Sequence, residues 1–353
     1  MKAIESEQPT HLIINTDPGC DDAVSLFSTA ATASKEFTEV DSIAIYGNDS
    51  THQTGKNLST LRVIIEELRQ TGSFFPELKY FSGAEKALDK SEPFQENTDD
   101  IFGKHALEGI ERKTTKLLEP SGVIYERIAR NPEATAHALS LGAITELAQM
   151  ITRKDMVGKV KSITVMGGVF FEEGNRAPHL SWNFSCDPRA LEVVLRESEK
   201  QRIPFTLVPL DLTQKPELGL TADRFAWLYK ELNLRGSHAI ADIIKTLVGT
   251  ESTYYKFSVS PDRTIGNRKP PYDRIGFKGA AIHDLTARMV QENPENFEIY
   301  PIQVLVDEKG QIGTAPSYMA SDDFHLHTIQ VAMDVKDSER YWQQVVDSLS
   351  QYR

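Results

Sequence analysis

The sequence predicts an α/β protein in which one open, mostly parallel sheet carries helices on both faces. Two observations predict it. Short β-rich runs alternate with longer amphipathic ones, the pattern of strand–helix–strand units. Several of the short runs are apolar almost throughout, as strands are when both faces of a sheet are covered.

The elements follow in order. Residues 11–16 (HLIINT) make the first strand, and a helix over 21–33 follows it. A second strand over 40–46 leads to a helix over 54–71. Strands over 135–141 and 160–166 flank a helix over 145–154, and a helix over 187–198 precedes a strand over 205–210. A helix over 222–232, strands over 297–306 and 326–335, and a final helix over 337–352 complete the pattern. Two stretches break the alternation: the polar residues 82–121 and the Pro-, Gly- and Arg-rich residues 255–280. Loops this long are binding loops, lids or disordered segments. No linker separates two hydrophobic cores, so residues 1–353 are expected to form one domain behind a polar tail, 1–10.

Composition narrows the function. The chain has 353 residues, is 40% hydrophobic and 25% charged, and carries a net charge of −12. That balance argues against nucleic acid as a partner, which would call for a basic face. Two cysteines make no disulfide framework and are expected as free thiols. The polar first residues show no secretory signal, and no apolar run reaches membrane-spanning length. A cytoplasmic protein without membrane contact is the expectation.

The informative stretch is IINTDPGCDDAVSL, residues 13–26, where Asp17, Asp21 and Asp22 crowd the end of a strand and the start of a helix. Ligands in open α/β sheets bind outside the carboxyl ends of strands. One aspartate at a helix start is ordinary capping, worth about 0.5–2 kcal/mol. Three, with Asp284 expected at a later strand end, exceed what a cap needs. Their repulsion calls for a raised pKa or a cation, and all-oxygen ligation favours Ca²⁺ or Mg²⁺ over zinc.

NTDPGCDDA resembles the DTDPGxDDA signature of the nucleoside hydrolases, the inosine–uridine nucleoside N-ribohydrolase family. YGN (46–48), SLGAITELA (140–148), VMGGVFFEEGN (165–175), NFSCDPRA (183–190), LDLT (210–213) and AIHD (281–284) resemble further family motifs in family order. The resemblance implies a nucleoside hydrolase-like fold with a Rossmann-like core, and hydrolysis of nucleosides to free base and ribose with bound Ca²⁺. It implies Asp17, Asp22, the backbone carbonyl of Leu141 and Asp284 as metal ligands, with Asp17 also the base that activates a metal-bound water. It places Asp21 and Asn48 on the ribose hydroxyls, and Asn183 near the 2′/3′ edge and the developing oxocarbenium ion. Asn175 falls near the 5′-hydroxyl, Met166 against the sugar's apolar side, and His283 beside the leaving base as a candidate general acid. Alone, Met166 reads as core, Asn48 as a turn residue and His283 as a structural histidine. The family also implies a homodimer or homotetramer.

This chain departs from the pattern at Asn15, where the family has Asp, and at Ser181-Trp182, where it has Glu-Phe. Serine weakens the contact to the 5′-hydroxyl. Phe102 stands where pyrimidine-cleaving members have His, which leans the expectation toward purine or broad base preference. Trp182, Trp227, Tyr254, Tyr255 and Phe257 are aromatic candidates for stacking on a base. The alternatives are a non-catalytic nucleoside- or sugar-binding relative, a hydrolase of 5′-modified nucleosides, and, more weakly, a Mg²⁺ phosphohydrolase. The last would want a Lys or Arg near the acids, and residues 13–26 contain none.

Overall fold

The structure is a computed structural model that describes residues 9–69, 77–113, 118–172, 174–176, 179–259, 279–314 and 326–352. Its ten strands are β1 (Thr10–Thr16), β2 (Glu39–Ala44), β3 (Glu77–Ser82), β4 (Glu119–Pro120), β5 (Thr135–Ser140), β6 (Val160–Met166), β7 (Phe205–Val208), β8 (Phe297–Val306), β9 (Ile312–Thr314) and β10 (His327–Val335). They form one sheet in the order β4-β3-β2-β1-β5-β6-β7-β10-β8-β9. β1 to β7 and β10 pair in parallel, while β8 and β9 pair antiparallel at one edge.

The pleat of β1 shows why both faces are apolar. Leu12 and Ile14 point into one core and Ile13 into the other. The first core is covered by α1 (Cys20–Thr32) and α2 (Thr51–Arg69), and by several later helices. These are α9 (Ala222–Leu234), α10 (His238–Val248), α11 (Thr253–Ser258), α12 (His283–Glu292) and α13 (Ser338–Leu349). The second is covered by α4 (Gly122–Arg130), α5 (Thr145–Thr152) and α7 (Pro188–Gln201). Short helices α3 (Asp99–Phe102), α6 (Trp182–Cys186) and α8 (Leu210–Thr213) lie near the strands' carboxyl ends.

The sequence expectations need five corrections. Residues 82–121 hold the end of β3, α3 and β4 rather than one long loop. The strand expected over 205–210 stops at Val208, and Leu210–Thr213 is helical because its acceptors switch from the neighbouring strand to its own turn. Asp284 stands in the first turn of α12, not at a strand end. In the segment 255–280, residues up to Ser258 belong to α11, and 260–278 lie outside the described residues. The tail is shorter than expected: β1 starts at Thr10, and residues 1–8 are outside the described set. Among the described residues no helix is long and apolar enough to cross a membrane.

Candidate active site

The chain steps outward from β1 through β2, β3 and β4, then returns to the other side of β1 with β5, β6 and β7. A sheet built this way opens a crevice at the carboxyl ends of the two strands where the direction reverses. Here those strands are β1 and β5. Asp17 follows β1, Leu141 follows β5, Asn48 follows β2, and Met166 closes β6. All four residues line one cleft with Asp21, Asp22, Asn175, Trp182, Asn183, His283 and Asp284.

The turn after β1 is built to hold carboxylates. Gly19 caps α1 in an extended conformation, and its amide donates to the Asp22 carboxylate at 3.0 Å. The Thr16 hydroxyl donates to the other Asp22 oxygen at 2.5 Å. The Asn48 side-chain amide donates to the Asp17 carbonyl at 2.7 Å. Two glycines make room for the Asp17 side chain: a Cβ on Gly47 or on Gly142 would overlap its carboxylate. Backbone amides at the helix starts therefore account for part of Asp22 and Asp21 and nothing of Asp17 or Asp284.

The four carboxyl groups are 1–4% exposed. One oxygen from each of Asp21, Asp22 and Asp284 lies within 4.8 Å of the others. Asp17 is outside that threesome and sits instead beside the Leu141–Gly142 turn. Among the described residues lining the cleft there is no lysine or arginine to balance this charge. Burial, then Asp22 and Asp21, pushes Asp17 well above the carboxylate range. Burial, then Asp22, takes Asp21 up to about 8. Asp22 is raised by burial, against the pull of Thr16 and Gly19, and Asp284 is raised by burial and by its three acidic neighbours. The N-termini of α1 and α12 both meet the cluster, and their dipoles offset only a fraction of a charge each. Four buried carboxyl groups, with the Leu141 backbone beside them in the cleft, make an all-oxygen donor set that fits a hard divalent ion.

The other expected residues fall around this cluster. The Asn183 amide donates to the carbonyls of Leu141 (2.5 Å) and Met166 (3.1 Å), tying the ends of β5 and β6 together. The Asn175 side-chain oxygen accepts the Trp182 amide at 2.7 Å, which fixes α6 against the loop before it. His283 is half-buried; its Nδ1 shares a 2.6 Å hydrogen bond with the Thr213 hydroxyl, and burial lowers its pKa to about 4. Ser181 is buried and is not among the residues lining the cleft, whereas Trp182 is. Asn15 is buried opposite Ser140 in the β1–β5 ladder.

An aromatic flank completes the cleft. Phe102, Tyr254 and Phe257 line it, with the rings of Phe102 and Tyr254 stacked at 4.9 Å. The Tyr254 hydroxyl donates to the Ala281 carbonyl, anchoring α11 to the approach to α12. Tyr255 and Trp227 are not part of the lining; they pack into and against the core. Sequence reasoning missed Thr16, Thr98, Ile101, Thr213 and Ser258. Thr98 donates to the Asn48 carbonyl at 2.9 Å, and nothing in the polar run around it distinguishes it from a surface threonine. Thr213 was the more legible, since it lies within LDLT.

Residues 12–343 match a family model described as inosine-uridine preferring nucleoside hydrolase. The chain is 27% identical over 220 residues to a Schizosaccharomyces pombe protein, covering 61% of this chain and 65% of that one. It is 24% identical over 305 residues to the pyrimidine-specific ribonucleoside hydrolase RihA of Salmonella enteritidis, covering 85% of each. Its fold matches that of a plant nucleoside hydrolase, PpNRh1, with a TM-score of 0.75 at 19% identity over 97% of this chain and 99% of that one. The purine-preferring ribonucleoside hydrolase from Gardnerella vaginalis gives a TM-score of 0.71 at 20% identity, covering 96% and 98%. With nearly its whole length matched by one family model, the chain belongs to the inosine-uridine preferring nucleoside hydrolase family, hydrolases acting on the N-glycosyl bond of nucleosides.

Proposed function

We propose that this enzyme is a calcium-dependent ribonucleoside hydrolase in which Asp17, Asp22, Asp284 and the Leu141 carbonyl, the set the family resemblance implies, hold the ion, with Asp21, which lies as close to Asp22 and Asp284, at its edge. The observation that carries this reading is the buried acid cluster, which has no positive partner among the described residues of the cleft. The Leu141 carbonyl already accepts from Asn183, and a carbonyl has a second lone pair to offer. The family is metal-dependent; the choice of Ca²⁺ rests on the all-oxygen donor set. When bound, such an ion acidifies a water molecule and grips vicinal hydroxyls.

Asp17 is the base. With positive charge nearby it ionises, and its carboxylate takes the proton from the attacking water. The water oxygen bonds to C1′ while the bond from C1′ to the base nitrogen breaks, and the base leaves with the electron pair. Asp21, Asn48 and Asn183 orient the ribose hydroxyls, Met166 packs against the sugar's apolar side, and Asn175 meets the 5′-hydroxyl. His283 stands beside the leaving base. Burial favours its neutral form near pH 7; if Thr213 donates to Nδ1, the proton sits on Nε2 and is available to the base as a hydrogen-bond donor. The enzyme is further proposed to work as a homodimer or homotetramer.

We favour a purine or broad base preference, supported by Phe102 in the cleft at the position where pyrimidine-cleaving members have His; the aromatic flank it forms with Tyr254 and Phe257 would stack on either kind of base. The similarity to a pyrimidine-specific relative is the counterweight. A second reading is a substrate with a modified 5′ end, favoured by Trp182 lining the cleft while Ser181, at the usual glutamate position, does not. Reducing-sugar release from inosine, guanosine, adenosine, uridine, cytidine and 5′-deoxy analogues tests all of these. Turnover of inosine or guanosine at least as fast as that of uridine and cytidine is expected. Release from the pyrimidines alone would sink the base preference, and release from none would favour the non-catalytic binder.

A further inference from the structure

The acid cluster is assembled from two helices that meet side by side. α1 carries Asp21 and Asp22 in its first turn, and α12 carries Asp284 in its own. The spacing of these carboxylates depends on how far one helix slides along the other, because a shift of one residue moves a side chain by about 1.5 Å along the axis. Two rungs fix that register. Near the site, the Ser25 hydroxyl donates to the Asp284 carbonyl at 3.2 Å. Farther along, the Thr32 hydroxyl donates to the Glu292 carboxylate at 3.1 Å and accepts from the Arg288 guanidinium at 3.3 Å. Arg288 also pairs with Glu292 at 3.3 Å, and it is 0% exposed.

A fully buried arginine is a poor way to gain stability. Desolvation of the ion pair offsets most of its attraction, and apolar residues of similar volume often serve as well or better. The pair itself lies within α12, four residues apart, and what ties it to α1 is the Thr32 hydroxyl: a register that withdrew that hydroxyl would leave buried charged groups short of a partner. Arg288 lies one turn after Asp284 on the buried side of α12, so a slip that broke its bonds to Thr32 would displace Asp284 too. We propose that Arg288, acting through Glu292 and Thr32, is a positioning residue that locks α12 against α1 and thereby sets the spacing of Asp284 from Asp21 and Asp22, and the cluster's affinity for a divalent cation. This inference rests on the functional reading above.

The test is calorimetric titration of Ca²⁺ into the chelator-stripped full-length protein, with circular dichroism confirming that each variant is folded. Arg288→Met is expected to weaken Ca²⁺ binding roughly 10- to 100-fold, the usual scale for groups that orient metal ligands. Arg288→Lys should recover part of the loss. Thr32→Val, which replaces the hydroxyl with a methyl of similar size, should weaken binding several-fold and stands in if Arg288→Met does not fold. Tyr352→Phe, which deletes a buried bond to the Phe27 carbonyl of α1, is the control: it should lower the melting temperature and leave Ca²⁺ affinity unchanged. Wild-type affinity in Arg288→Met or, failing that variant, in Thr32→Val would overturn the inference while leaving the functional reading intact. A wild-type protein that binds no Ca²⁺ would overturn both.

Discussion

In the proposed mechanism Asp17 has two duties, ligand and base, and the glycines around it leave its carboxylate little room. Asp17→Ala removes both at once, so kcat should fall by several orders of magnitude in a reducing-sugar assay while the protein stays folded. Near-normal turnover would remove Asp17 from the mechanism. Gly142→Ala is a subtler probe. The added methyl would overlap the Asp17 carboxylate and force it aside, with no buried cavity created. A misplaced base typically costs about 10²-fold in rate, so kcat should drop on that scale, with a lowered melting temperature from the overpacking but a folded protein. Unchanged kcat would show that the carboxylate has room to adjust. Asp17, Asp21 and Asp22 were legible in the sequence because three carboxylates in six positions defy an ordinary cap. Gly142 and Thr16 were not, because their importance lies in what a neighbouring strand brings beside them.

At the scale of elements, the strands that carry the site were the most legible part of the chain. β1, β5 and β6 fall within a residue of expectation at each end because they are mostly apolar runs, and so do β8 and β10 away from the site. β3 was missed because Glu and Lys interrupt its apolar run; β4 and β9, at two and three residues, are too short to show any period. α12 was missed for a different reason: seven of its ten residues are buried, Asp284 and Arg288 among them, so no clean polar face marks it as a helix. The short helices α3 and α11 meet through the Phe102–Tyr254 stack. Base–aromatic stacking is worth about 1–3 kcal/mol, and 1.4 kcal/mol is tenfold in affinity. Phe102→Ala should therefore raise KM for purine nucleosides roughly tenfold and change kcat less. An unchanged KM would mean that the flank is only a wall of the fold.

For the whole molecule, metal binding at the acid cluster, as proposed, would be coupled to stability through pH. In the metal-free protein Asp21 is held up at about 8 against an ordinary value of 3.8. Between those values the folded chain keeps a proton that the unfolded chain has lost. That contribution to stability is full below about pH 4 and is lost as pH rises toward 8. A bound divalent ion takes the proton's place, so its stabilising effect grows over the same window. The melting temperature of chelated protein should fall between about pH 5 and about pH 8, and added Ca²⁺ should raise it more at the upper end. An equal Ca²⁺ shift at both pH values would contradict the coupling. The sheet order itself was only partly legible: alternating strands and helices implied a parallel sheet, but which strands neighbour β1, and hence where the crevice opens, follows from tertiary packing.

The most direct test is to strip the enzyme with a chelator, then add Ca²⁺ back while following ribose release and bound metal together. The account predicts no release from the stripped enzyme, and recovery that saturates at one ion per chain. Ribose release that persists in metal-free protein, or full activity with no ion bound, would contradict it.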